Sequence, residues 1–279
     1  MPITRYFSDE NFARFKTDFQ FIVRTITSYK AELELCLREN YFNLYFRGNS
    51  IAKVLFKRDR RYEVHIHEKF YPTSLSKDSR FSPPKSIDTY CCLDVSVELL
   101  HPLFQKKYLA EMFSNIKQEN HSEELTLEQM IITDNIENEK VIIIDRQITD
   151  IVLKKRIDLL ALRQHHGNTY QFVIIEVKMG NNPELKDSVA RQLNGYVTHV
   201  EKYFPDYKMC YEKHYKQKKE LELIKKPDWN EIEIIPDVQG IVIVGGYSQI
   251  AQERIDELTK NYPKLWVKRF AYDLDFLCN

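Results

Sequence analysis

Glycine is scarce in this chain of 279 residues: seven in all, too few for collagen-like repeats, glycine-rich linkers or many-bladed arrays. Net charge is missing too, because 41 lysines and arginines balance 41 aspartates and glutamates. A neutral total gives no support for a protein that coats nucleic acid by bulk attraction, so any such contact must come from local patches. The five cysteines (36, 91, 92, 210 and 278) make no C-x-x-C pair, and an odd number with two adjacent fits reduced thiols better than a disulfide framework. No apolar run reaches about 18 residues, and the opening MPITRYFSDENF turns acidic too early for a secretory signal. The expectation is a soluble, cytoplasmic protein without a membrane partner. Internal repeats and long low-complexity segments are absent as well.

What is abundant is core-forming material: 17 tyrosines, 16 phenylalanines and an apolar fraction of 43%, enough for one domain or two. The patterning divides the chain into an N-terminal α+β region over 1–92 and an α/β region over 93–279. Ser8 and Asp9 open a helix expected over 8–38, with Phe12, Phe15, Phe19, Ile22 and Ile26 recurring at three and four. ENYFNLYF, SIAKVLFKR and RYEVHIHEKF read as a small antiparallel meander. Residues 72–92, with Pro72, Pro83 and Pro84, read as a loop, and helical spacing returns over 94–117 and 122–136. VIIIDRQIT, KRIDLLALR and YQFVIIEVK then read as strands joined by short turns near Asp150 and at 165–168. Asn182-Pro183 starts a helix running to Phe204, and a lysine-rich stretch over 213–226 precedes the strand DVQGIVIVGGY. A helix over 249–260 and a strand over 264–272 follow. Three strands with turn-length connections and a fourth arriving after a helix predict a mixed sheet.

Three charges stand inside this most hydrophobic region. Asp158 lies mid-strand in RIDLLAL; Glu176 and Lys178 occupy the end of FVIIEVK and, by strand alternation, share one face. An unpaired buried charge is expensive, so the trio needs a reason. One is a structural ion pair at a sheet end. The other is a divalent cation, since carboxylates on adjacent strands suit a hard, oxygen-seeking ion completed by waters, a carbonyl and a phosphate. A neighbouring ammonium would then orient an attacking water or accept its proton.

The order IDLLA, hairpin, VIIEVKMG resembles the PD-(D/E)XK nuclease superfamily. The resemblance covers about residues 120–250 and includes Asp145-Arg146-Gln147 and, on the following helix, Gln192-x-x-x-Tyr196, whose spacing of four places both on one helical face. It implies a restriction-endonuclease-like core with a mixed central sheet flanked by helices. It also implies catalysis by Asp158, Glu176, Lys178, Gln192 and Tyr196, with Mg²⁺ (Mn²⁺ substituting) held by Asp158, Glu176 and the Val177 carbonyl. Glu128, in preference to Glu124, is the expected upstream ligand. The departure is Ile157 where the family pattern has proline. The implied activity is endonucleolytic hydrolysis of DNA, in restriction or phage defence, with RNA or structured junctions left open. A second copy of the chain is an expected partner, and residues 1–92 would serve recognition, regulation or assembly. The competing reading is a nuclease-like module that only binds nucleic acid or protein.

Two basic clusters offer phosphate contacts: Lys57, Arg58, Arg60 and Arg61 at a turn, and Lys213, Lys216, Lys218 and Lys219 on an expected connecting segment. Either reads equally as solvated surface. Glu63, His65 and His67 alternate on one strand face but lack a further strong ligand nearby, Cys91-Cys92 lacks a catalytic base, and Gly245-Gly246 reads as a tight turn.

Overall fold

The structure, a computed structural model, describes residues 3–119, 122–153 and 155–271. Cys278 and the last residue of the strand expected over 264–272 lie outside the described residues. The architecture is mixed α/β: an N-terminal helical region and two β-sheets, with helices flanking the sheets. The first elements are α1 (Asp9–Asp18), α2 (Gln20–Ser28), β1 (Leu33–Leu37), β2 (Tyr41–Phe46), β3 (Asn49–Phe56), β4 (Arg61–His67), α3 (Thr73–Ser76), β5 (Lys85–Ile87) and β6 (Tyr90–Ser96). Next come α4 (Val97–Leu103), α5 (Lys106–Glu119), α6 (Glu123–Asp134), β7 (Val141–Ile148), β8 (Ile157–His166) and β9 (Thr169–Met179). The remainder is α7 (Ser188–Lys202), α8 (Phe204–Glu220), β10 (Glu233–Gly245), α9 (Ser248–Asn261) and β11 (Trp266–Phe270). Among the described residues no helix is long and apolar enough to cross a membrane.

Two compact units form. The N-terminal unit contains Thr4–Gln129 and Lys213–Lys225; the other contains residues 130–212 and 226–271 together with Ile3. The sequence pattern put the division at 92/93. Packing carries 93–129 with the N-terminal unit, because Leu100, Leu103, Tyr108, Met112 and Ile116 share one core with Phe15, Phe42 and Val54. Helical periodicity reports that a face is buried, not which sheet buries it.

The N-terminal unit is built on a six-stranded sheet in the order β1-β2-β3-β4-β6-β5, antiparallel throughout. The expected meander is its centre. The helix expected over 8–38 is instead two helices and a strand. Ser8 caps α1, its hydroxyl accepting from the Asn11 amide, but the chain leaves helical geometry at Phe19. Lys30 and Ala31 then take positive φ (46° and 67°), and Leu33–Leu37 joins the sheet edge with Leu33, Leu35 and Leu37 buried. The segment 72–92, expected as a loop, carries α3, β5 and the start of β6, and the helix expected from 94 begins at Val97.

The second sheet runs β11-β10-β9-β8-β7. Strands β7, β8 and β9 are antiparallel, while β9, β10 and β11 are parallel, so the sheet is mixed as its connections predict. Central β9 is buried along its length except at Met179, which explains its near-continuous apolar run. Gly240 on β10 pairs with Ile174 on β9, and a Cβ at Gly240 would lie 2.9 Å from Leu193 Cγ and 3.0 Å from Val197 Cγ2 of α7. The missing side chain lets α7 settle onto the face that carries Ile174, Glu176 and Lys178.

Candidate functional site

Strand register builds the site first. Leu160 pairs with Ile174 and Leu159 with Ile175, so one further step sets Asp158 opposite Glu176 on the same face. There the ladder opens: the Val177 amide donates to Asp158 Oδ2 at 2.9 Å. On β7, Arg146 pairs with Leu159 and Ile148 with Ile157, which sets Gln147 level with Asp158. Gln147 has φ +49°, a left-handed conformation uncommon for a residue with a side chain.

Helix α7 supplies the next layer. Gln192 Nε2 donates to Glu176 Oε1 and to the Tyr196 hydroxyl, both at 2.8 Å. The Tyr196 hydroxyl donates to the Arg156 carbonyl at 2.9 Å, two residues before Asp158. Lys178 Nζ lies 2.9 Å from Glu176 Oε1 and 3.2 Å from Glu184 Oε2. The structure thus joins Glu176, Lys178, Gln192 and Tyr196 in one hydrogen-bonded group, with Asp158 beside it.

Its electrostatics are unusual for a structural ion pair. Glu176 is fully buried, and among the described residues its Oε2 has no hydrogen-bond partner. Burial, then repulsion from Asp158, lifts its pKa from 4.5 to about 8, with Lys178 opposing the rise. Burial and the neighbouring Glu176 likewise raise Tyr196 to about 12. Two carboxylates at facing strand positions, one oxygen of Glu176 unsatisfied, are the kind of donors that Mg²⁺ accepts from protein: one or two carboxylates, the rest being water and substrate phosphate. Among the described residues no three His, Cys, Asp or Glu side chains are grouped to hold a metal ion, so the fit is to a sparsely liganded cation rather than a closed cage.

Comparison with protein-family models, curated proteins and solved structures returned no significant match. The reading of the site therefore rests on its chemistry and on the motif resemblance.

The other expected site residues belong to the N-terminal unit. Glu128 is buried on α6 in the N-terminal unit; Glu124 is half-buried there. The 57–61 cluster is a hairpin turn with positive φ at Asp59 and Arg60. Arg60 pairs with buried Asp18, Arg61 with Asp94 and Lys57 with Glu63, so three of its four cations already face a carboxylate. The lysine run at 213–219 is not a loop insertion but the second half of α8, in the N-terminal unit. Its apolar and polar residues alternate at helical spacing, leaving Lys213 and Lys216 exposed and Lys218 buried. Glu63 and His65 pair with each other, and Gly246 takes the positive φ (+64°) of a tight turn.

Two features escaped the sequence reading. Glu184 reaches Lys178 from the turn that follows β9, where it resembles an ordinary first-turn acidic residue. Asp150, read only as a turn residue, is a buried anchor. It accepts from the Val152 amide at 2.8 Å, the Leu153 amide and the Tyr207 hydroxyl at 2.8 Å, and it pairs with His199. Those bonds hold its pKa below the usual carboxylate range although burial opposes them. An aspartate in a turn, able to accept from the amides two and three residues on, was the available signal.

Proposed function

We propose that this chain is a Mg²⁺-dependent endonuclease of the PD-(D/E)XK kind, with a restriction-endonuclease-like core in its C-terminal unit, hydrolysing DNA phosphodiester bonds. The observation that carries the reading is the fully buried Glu176, one oxygen unsatisfied, set against Asp158 and a lysine at the end of a central strand. A buried carboxylate with one unsatisfied oxygen beside a second carboxylate is costly for folding, and a bound cation would offset that cost.

Asp158 and Glu176 would hold the cation, and the Val177 carbonyl would be a further ligand. When bound, Mg²⁺ or Mn²⁺ polarises the phosphoryl group and stabilises the leaving oxygen. Gln192 fixes the Glu176 carboxylate, leaving Oε2 free of protein donors, and Tyr196 fixes Gln192. Lys178 orients the attacking water, and Glu184 steers the ammonium from its other side.

The test is hydrolysis of DNA by the purified full chain with Mg²⁺, with Mn²⁺ and with EDTA. Cleavage with either metal, none with EDTA, and near-complete loss in Asp158→Ala, Glu176→Ala and Lys178→Ala proteins that remain folded are the expected results. Turnover that survives Glu176→Ala overturns the assignment; cleavage of RNA alone replaces the substrate.

A further inference from the structure

The connection between β7 and β8 is clamped at both ends. At its start the Asp150 carboxylate, with no exposed side-chain surface, is held by four donors: two amides of its own turn, Tyr207 from α8 and His199 from α7. At its end the Arg156 carbonyl accepts from Tyr196, the residue that also holds Gln192 against Glu176. A segment tied this way has every means to tuck its apolar side chains inward. It does the reverse. Ile151 is 85% exposed, more than any other large apolar side chain among the described residues, and adjacent Val152 is 48% exposed. Lys155 and Arg156, both exposed, stand further along the same connection, with Ile157 between Arg156 and Asp158. A scattered exposed isoleucine needs no explanation. A pair presented on a turn held by a buried carboxylate, with two exposed cations on its C-terminal side, does.

We propose that Ile151 and Val152 form a wedge that enters a DNA duplex at the base step beside the scissile phosphate, while Lys155 and Arg156 hold the flanking phosphates. This inference rests on the nuclease reading and gives its substrate class: a duplex that must be opened locally before it is cut. The chemistry selects this occupant. Branched aliphatic side chains gain burial between unstacked bases, the bent duplex then reaches further protein surface, and the cations compensate phosphate charge. The clamps matter because a wedge on a yielding turn would fold back instead of parting the stack. Tyr196 ties the end of this connection, at the Arg156 carbonyl, to Gln192 and through it to Glu176.

The experiment compares the full-length protein with its Ile151→Ser/Val152→Ser variant on a fully paired DNA duplex and on the corresponding single strand, with Mg²⁺. Both side chains are exposed, so thermal unfolding of the variant should match wild type. Duplex kcat/KM should fall by ~10–100-fold, the scale of losing one or two buried aliphatic contacts. Single-strand cleavage should stay at the wild-type rate, because nothing needs opening. A 2-aminopurine base in the duplex should brighten on binding wild type and not on binding the variant. Equal duplex cleavage by both proteins, or an equal fall on duplex and single strand, overturns the wedge. Wild type that cuts neither substrate is a different failure: it removes the nuclease reading itself.

Discussion

Glu176→Gln removes one negative charge and keeps the side chain's shape, so it separates the cost of burying the carboxylate from the packing around it. An amide in that place still offers an oxygen to Gln192 and Lys178, and Lys178 keeps Glu184 at 3.2 Å. What disappears is the anion. The folded-state pKa of about 8 stands above the ordinary 4.5, so the native chain holds this proton more tightly than the unfolded one. The stabilisation is fully present below the unfolded value and is lost as pH rises through the folded value. One pKa unit corresponds to about 1.36 kcal/mol, so after allowance for relaxation the ionised carboxylate costs on the order of 2–4 kcal/mol at alkaline pH. In urea unfolding with EDTA, the variant should be close to wild type at about pH 5 and more stable by that amount at about pH 9. If the charges were a structural ion pair, its loss would cost roughly 3–5 kcal/mol and the variant would be the weaker protein at high pH. That result refutes the reasoning. The variant should also be inactive, and a gain in stability bought with activity is the mark of a functional site.

Gly240→Ala puts a methyl group within 3.0 Å of Leu193 and Val197, so it should lose roughly 1–3 kcal/mol in a denaturation midpoint and slow turnover by moving Gln192, Leu193's neighbour. Adding Leu193→Ala should recover part of the loss, and strict additivity of the two changes would count against the packing account. Gln192→Ala should slow single-turnover cleavage by ~10–100-fold, as for other groups that hold a ligand in place; a wild-type rate would make Gln192 ordinary surface. Lys213→Ser with Lys216→Ser removes the exposed members of the α8 run. If both contact phosphate, the log–log salt dependence of DNA binding should flatten by about 2 units; an unchanged slope and affinity would mark the run as solvated surface.

The second sheet was legible because its signals are local: three apolar strands in close succession and a later glycine-ended strand. The helix start was less so: Asn182 caps a separate 3-10 turn over Pro183–Lys186, and α7 begins only at Ser188, without a side-chain cap. The N-terminal error has an equally local cause. Leu33, Leu35 and Leu37 alternate with period two, but they directly follow a run spaced at three and four, and the longer pattern absorbed them. Helix α8 was misread at its lysines because its buried side carries Tyr207, Tyr211, His214, Tyr215 and Gln217 rather than aliphatic residues. Gln217, for instance, both donates to and accepts from the Phe7 backbone, a partnership 210 positions away that no window of sequence contains. Within the site, Glu176 and Lys178 stand out as charges sharing a face at the end of an apolar strand, and Gln192 and Tyr196 were picked out by the motif resemblance. Glu184 and the Asp150 anchor do not, since their roles depend on what a turn brings near.

The opening of the ladder at Asp158 has a spectroscopic consequence. The Val177 N–H, which in an uninterrupted sheet would point at a peptide carbonyl, donates to a carboxylate oxygen instead. Its proton resonance should therefore lie downfield of its neighbours on β9, since a charged acceptor makes a shorter and stronger hydrogen bond. Charge drawn from that oxygen, by a proton or by a cation, would shift the resonance upfield while Ile174 and Ile175, bonded deeper in the sheet, stay where they are. One backbone amide thus gives a built-in gauge of the charge at Asp158, readable in isotope-labelled protein of native sequence without a substrate or a substitution.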